Sequence, residues 1–175
     1  MRYVQAKGLD LSAFALGTVQ LGLTYGLGEH AEKPTEEAAF AILDKAVDLG
    51  VNTLDTANNY GESEAVIGRW LTKRRAEGKK LPYSVTKVGP LKHGSYDILR
   101  DDVMYQLEGC MKRLCIDKLD IFMLHDFEDY NKDRDALQKI FAEIKSQGLY
   151  DYSAISAYSR HDYSVIAESG FDATQ

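Results

Sequence analysis

The chain alternates between two kinds of apolar segment, and that alternation limits the folds open to it. Short runs of strand length recur at Phe14-Ala15-Leu16, Val51-Asn52-Thr53-Leu54, Tyr83-Ser84-Val85-Thr86 and Leu119 to Leu124. Tyr152 to Ile155 and Phe171 to Thr174 continue the series. Most are unbroken, as strands buried on both faces should be. Between them lie helical periodicities. Ala39, Ile42, Leu43, Ala46 and Leu49 mark one face, with Thr35 as N-cap and Gly50 as the stop. Val66, Ile67, Trp70 and Leu71 mark a second, and Val103, Leu107, Cys110 and Leu114 a third. Leu137, Ile140, Phe141 and Ile144 mark a fourth, closed by Gly148, and a last helix is expected from Val165 to Glu168. The order is strand then helix, five times, followed by a sixth strand. Such repeats imply parallel strands, because each helix returns the chain to the same end.

Two α/β architectures fit this order. A doubly wound dinucleotide fold would want G-x-G-x-x-G straight after the first strand. The first loop offers Gly22, Gly26 and Gly28, at the wrong spacing. The pattern therefore favours a (β/α)8 barrel of the TIM type, here incomplete, with about six strands and five helices. No linker-like stretch interrupts it, so residues 1–175 are expected to form one domain.

Composition excludes several functions. At 45% hydrophobic the chain is not a disordered one. Its 21 basic and 27 acidic residues leave a net charge of −6, the wrong sign for a general nucleic-acid or anionic-membrane binder. Leu11 to Gly28 carries no charge and approaches the length of a membrane span. Four glycines and the polar Ser12, Thr18, Gln20 and Thr24 disqualify it. No signal peptide is evident and the expected compartment is the cytoplasm. Cys110 and Cys115 are expected on different faces of one helix, which gives no disulfide framework. His30, His93, His125 and His161 are scattered without metal-ligand spacing, so no metal is expected. Asp101 and Asp102 are expected on a solvated helix surface.

In parallel βα proteins the C-terminal strand ends face the chemistry. Asp55 follows Thr53-Leu54, Lys87 follows Ser84-Val85-Thr86, and His125 follows Phe122-Met123-Leu124. Ser156 follows Ala154-Ile155, and Gln175 ends the sixth strand. Tyr60 lies five residues past Asp55. Each alone has an ordinary structural explanation, but three titratable groups at equivalent topological places mark a candidate site. An ammonium beside a phenol favours phenolate. Lys87, held by Asp55, would make Tyr60 a tuned general acid for a forming oxyanion, with His125 orienting the substrate oxygen. Protonating a carbonyl oxygen calls for a hydride donor, which means a nicotinamide or flavin cofactor.

These residues carry a resemblance to the aldo-keto reductases. Leu16-Gly17-Thr18 ends the first strand, and Thr86-Lys87 and Leu124-His125 end two others. Gly50 through Gly68, with Asp55-Thr56-Ala57 and Tyr60-Gly61-Glu62-Ser63-Glu64, is similar to that family's G-x-N-x-x-D-T-A-x-x-Y-G-x-S-E-x-x-x-G signature. The resemblance implies a barrel fold and reduction of a small carbonyl substrate with NAD(P)H, NADPH rather than NADH. It implies a catalytic group of Asp55, Tyr60, Lys87 and His125. It also implies nicotinamide contacts from Thr18, Val19, Asp55, Ser156 and Gln175. The chain departs from the family at Ala157, where Asn is usual, and at Ala154, where Gly is usual. The other reading is a non-catalytic, cofactor-sensing or regulatory protein on the same fold. Tyr25, Asn58, Asp126 and Phe127 are candidate pocket residues, and the specific substrate and oligomeric state stay open.

A barrel of this type takes about 250 residues. Five units and a strand already use all 175. The expectation is a domain cut short at its C-terminus. Alone it would be an open barrel with two unpaired strand edges and no cradle for the cofactor's phosphates.

Overall fold

A computed structural model describes residues 1–26 and 32–175. The loop glycine Gly28 and His30 lie outside the described residues. The chain divides into two compact units, residues 1–85 with 113–115, and residues 86–112 with 116–175.

The first unit opens with a hairpin that the apolar runs did not announce. β1 (Tyr3–Ala6) pairs antiparallel with β2 (Leu9–Ser12), register Tyr3↔Ser12 to Ala6↔Leu9. Lys7 and Gly8 make the turn, both with positive φ, as a two-residue hairpin turn requires. β3 (Leu16–Gly17) follows, then the single-turn α1 (Val19–Gly22). The first parallel strand was expected to begin at Phe14, but Phe14 is exposed and stands outside it. α2 (Glu36–Asp48) starts as expected, with the Thr35 hydroxyl accepting from Ala38 N and Glu36 and Glu37 in the first turn. β4 (Thr53–Asp55) and α3 (Ser63–Ala76) complete the unit with the opening of β5 (Tyr83–Val88). β3, β4 and β5 are parallel neighbours in chain order, with Leu16↔Leu54 and Leu54↔Ser84 in register. Trp70 and Leu43, both sealed from solvent, pack between α2 and α3. The Trp70 indole donates to Asp44 at 3.0 Å.

The second unit takes the end of β5, then α4 (Tyr96–Leu114) up to Lys112, β6 (Leu119–Leu124) and the short α5 (Phe127–Lys132). It continues with α6 (Arg134–Ser146), β7 (Tyr150–Ile155), α7 (Arg160–Ala167) and β8 (Ala173–Thr174). β6, β7 and β8 are again parallel and in chain order. An aromatic cluster fills the core between helix and sheet. Phe122 stacks on Phe141 at 4.9 Å, and Phe171 lies 4.9 Å from Phe141 and edge-on to Tyr130 at 5.6 Å.

Three expectations need correcting here. α7 begins at Arg160 and not near Val165. Ser159 and Asp162 form a reciprocal capping box that starts the helix earlier than its apolar residues suggest. Cys115 is not on a helix with Cys110, because α4 ends at Leu114 and Cys115 takes a φ of 55°. Asp102 is buried, not solvated: it accepts from Lys92 N at 3.0 Å and from the Gln106 amide at 2.8 Å. Among the described residues no helix is long and apolar enough to cross a membrane.

Candidate active site

In the first unit the strand-end residues are held by a cluster of hydroxyls. Thr18, just past β3, donates its backbone N–H to the Asp55 carbonyl at 3.0 Å and its hydroxyl to the same oxygen at 2.9 Å. The Ser63 hydroxyl lies 2.9 Å from both the carbonyl and the hydroxyl oxygen of Thr18, and accepts from the Thr56 hydroxyl at 3.0 Å. Thr18, Thr56 and Ser63 are all buried. Val19 opens α1, and its carbonyl accepts from Leu23 N at 3.0 Å.

Tyr60 sits in a tight turn between β4 and α3. Its N–H donates to Ala57 O at 3.1 Å, and its carbonyl accepts from Ser63 N at 3.0 Å. Gly22 presses on this turn from α1: a Cβ there would meet Tyr60 O at 1.8 Å. Gly68 performs the same service on α3, where a Cβ would meet Arg113 O at 2.0 Å. Both are contacts that any side chain would prevent. Glu64, almost fully buried, accepts from Arg113 Nε at 2.7 Å. Ser63 therefore supports the turn and Glu64 ties the first turn of α3 to Arg113, roles that their place in the sequence motif did not reveal.

The second unit arranges its candidates as a staircase. His125 N donates to Val88 O at 3.0 Å, one residue past Lys87. Ser156 N donates to Leu124 O at 2.9 Å, and Gln175 N to Ile155 O at 3.1 Å. Each candidate's amide thus bonds to the last residue of the preceding strand. Lys87, His125, Ser156 and Gln175 consequently stand at the same end of neighbouring strands. Lys87 is almost fully buried, His125 half-buried and Gln175 exposed. Ala157 N donates to Gln175 O at 2.8 Å, so the departure at 157 still ties the last two steps through its backbone.

Two expected pocket residues have structural duties. Asp126 caps α5 by accepting from Glu128 N at 2.9 Å, and Phe127 is buried against Tyr130. Beside the staircase, His93 is bound by two carboxylates, Nδ1 to Asp133 at 2.5 Å and Nε2 to Asp129 at 2.8 Å. Burial works to lower the His93 pKa, but the bonds to Asp133 and Asp129 outweigh it and the net direction is upward. Asp129 also accepts from Leu91 N at 3.0 Å. Among the described residues no group of three or more His, Cys, Asp or Glu side chains could hold a metal ion.

Comparison with known proteins decides the family. The model of the aldo/keto reductase family matches residues 13–174. The chain belongs to the aldo/keto reductase family. An oxidoreductase of Bacillus subtilis, YrpG, is 28% identical to the chain over 170 residues, covering 90% of the chain and 49% of YrpG. D-arabinose 1-dehydrogenase of Saccharomyces cerevisiae is 31% identical over 143 residues, covering 80% of the chain and 42% of that enzyme. The chain thus spans about half the length of the curated relatives it matches, or less. Among solved structures, the thermostable aldo-keto reductase Tm1743 in complex with epalrestat superimposes with a TM-score of 0.71 at 27% identity. That match covers 98% of this chain and 60% of Tm1743. The six parallel strands, the first five each followed by a helix, are six of the eight of a (β/α)8 barrel.

Proposed function

We propose that this aldo/keto reductase chain carries the acid–base residues of an NAD(P)H-dependent oxidoreductase that reduces an aldehyde, ketone or sugar-like carbonyl. The observation that carries the reading is the strand-end placement of the candidates in each unit. Thr18 is bonded to Asp55 in one, and Lys87, His125, Ser156 and Gln175 share one end of adjacent strands in the other. The name of the yeast relative supports a sugar-like substrate.

Tyr60 is the proton donor in this reading. It delivers a proton to the substrate oxygen as negative charge develops there, while Lys87 and Asp55 tune its acidity. His125 orients the same oxygen. The reduced nicotinamide, when bound, supplies the hydride that no side chain can supply. The residues present suit that group. The Ser156 hydroxyl and the Gln175 carboxamide, one strand apart, combine a donor and an acceptor for a nicotinamide carboxamide. Thr18, Val19 and Asp55 are the other contacts proposed, and NADPH is the preferred form. Residues 1–175 are taken as part of one catalytic domain.

The test is consumption of NADPH by the full natural chain with a panel of aldehydes, alongside Tyr60→Phe. Loss of a positioned general acid should lower turnover by roughly 10²- to 10⁴-fold while NADPH binding persists. Unchanged turnover in Tyr60→Phe would remove Tyr60 from the mechanism. Tight NADPH binding without turnover in the unaltered protein would favour the regulatory reading.

A further inference from the structure

We propose a second binding site, at the N-terminal ends of β4 and β5, that takes a small hydroxylated organic anion. A pocket of about 260 Å³ opens there, lined by Tyr3, Asp10, Asn52, Arg74 and Lys80 with apolar walls from Val51 and Pro82. Asn52 precedes β4, and Asp55 ends it. The three residue steps from Asn52 to Asp55 separate the pocket from the candidate catalytic end by about 10 Å along the strand.

Arg74 points to the ligand class. Its side chain is 9% exposed, and three of its contacts hold the guanidinium still. Nη1 donates to Asp44 at 3.1 Å, Nη2 donates to the Lys80 carbonyl at 3.2 Å, and the group lies 4.9 Å from the Trp70 ring. Nε is buried, and no acceptor among the described residues reaches it. Nε lies beneath the pocket wall, but Nη1 and Nη2 each carry a second N–H beyond these bonds, and a clamped guanidinium is well prepared to take a carboxylate or phosphate oxygen. Lys80 brings a second cation to the same wall.

The remaining polar groups ask for hydroxyls. Asp10 receives the Gln5 amide on Oδ1 at 2.8 Å, which leaves Oδ2 to accept. The Tyr3 hydroxyl donates to Gly50 O at 3.0 Å and can accept in turn. Asn52 is engaged on both atoms, with Ser12 N at 2.8 Å and Asp10 O at 2.6 Å, so it shapes the wall. A volume of about 260 Å³ falls just below the ~300–1,000 Å³ typical of drug-sized sites. That suits a three- or four-carbon hydroxy acid or sugar phosphate better than a dinucleotide.

The experiment follows the Arg74 Nε–Hε NMR resonance in the full natural chain. D-glycerate and glycerol 3-phosphate are the probes, with glycerol and inorganic phosphate as controls. A saturable shift with either probe, absent with glycerol and weaker with inorganic phosphate, supports the site. The probe that saturates first tells carboxylate from phosphate. Lys80→Gln, a surface change, should weaken binding roughly tenfold, the scale of one charge-assisted hydrogen bond. The proposal is overturned by no saturable shift up to about 10 mM. It is equally overturned by an equal response to glycerol or inorganic phosphate, or by binding that Lys80→Gln leaves unchanged. NADPH turnover does not enter the readout, so this result and that of Tyr60→Phe stand apart.

Discussion

Thr18 and Asp55 are joined twice through one oxygen. The Thr18 amide and the Thr18 hydroxyl both donate to the Asp55 carbonyl, at 3.0 and 2.9 Å. That pair of hydrogen bonds fixes the main chain of Asp55 where β4 gives way to the Tyr60 turn. Ser63 and Thr56 back it with their own hydroxyls. These polar groups thus satisfy one another where an apolar core would leave the strand ends loosely held.

Thr18→Val keeps the shape of the side chain and deletes its hydroxyl. Stability should fall by about 1–2 kcal/mol, the value of a buried hydrogen bond plus the partner it strands. Urea unfolding should show a lower midpoint with an unchanged slope.

Arg113→Met removes the partner of a carboxylate that is 1% exposed. Arg113 is itself partly exposed, so the pair is half-buried, and its removal leaves the Glu64 carboxylate less well compensated; the loss should be about 1–3 kcal/mol. The Glu64→Gln, Arg113→Met double variant should recover part of it, because no charge is then left buried. Equal stability of the single and double variants would contradict this account.

Much of this framework is legible in the sequence. The strand Leu119–Leu124 and the Thr35 cap appear where apolar runs and capping chemistry place them. The hairpin Tyr3–Ser12 does not, because all four residues of β1 are exposed and leave no apolar alternation to read. α5 is hidden for a different reason: Phe127 and Tyr130 span a single turn, too short for a periodicity. Asp55, Lys87 and His125 stand out in the sequence because they lie at strand ends, and Tyr60 because it follows one of them within the motif. Their supports do not, since Ser63 and Glu64 act through partners 45 and 49 residues away in the chain.

His93 gives the chain a pH-dependent element. Its folded-state pKa is raised from the ordinary 6.5, against burial, by Asp133 and Asp129, with Lys132 opposing. A group of this kind stabilises fully below its unfolded pKa and stops doing so as pH rises through its folded value. Stability measured across neutral pH should therefore decline upward from about 6.5. His93→Gln should flatten that slope and be most destabilising at the acidic end.

Tyr150→Phe tests the aromatic core. The Tyr150 hydroxyl donates to Phe141 O at 2.6 Å, and burial pushes its pKa upward, so it stays a neutral donor. The ring contacts with Phe122 and Phe141 survive the change. The loss should be about 1 kcal/mol, seen as a modest drop in the thermal midpoint.

The staircase of strand ends has a consequence for how such a chain can change. Every step is a main-chain bond: His125 to Val88, Ser156 to Leu124, Gln175 to Ile155. A peptide group offers the same N–H whatever side chain it carries, proline aside. The residues at these positions can therefore be exchanged while the scaffold that presents them keeps its bonds. Chemistry and architecture are written in different atoms of the same residues, and one can be revised without redrafting the other.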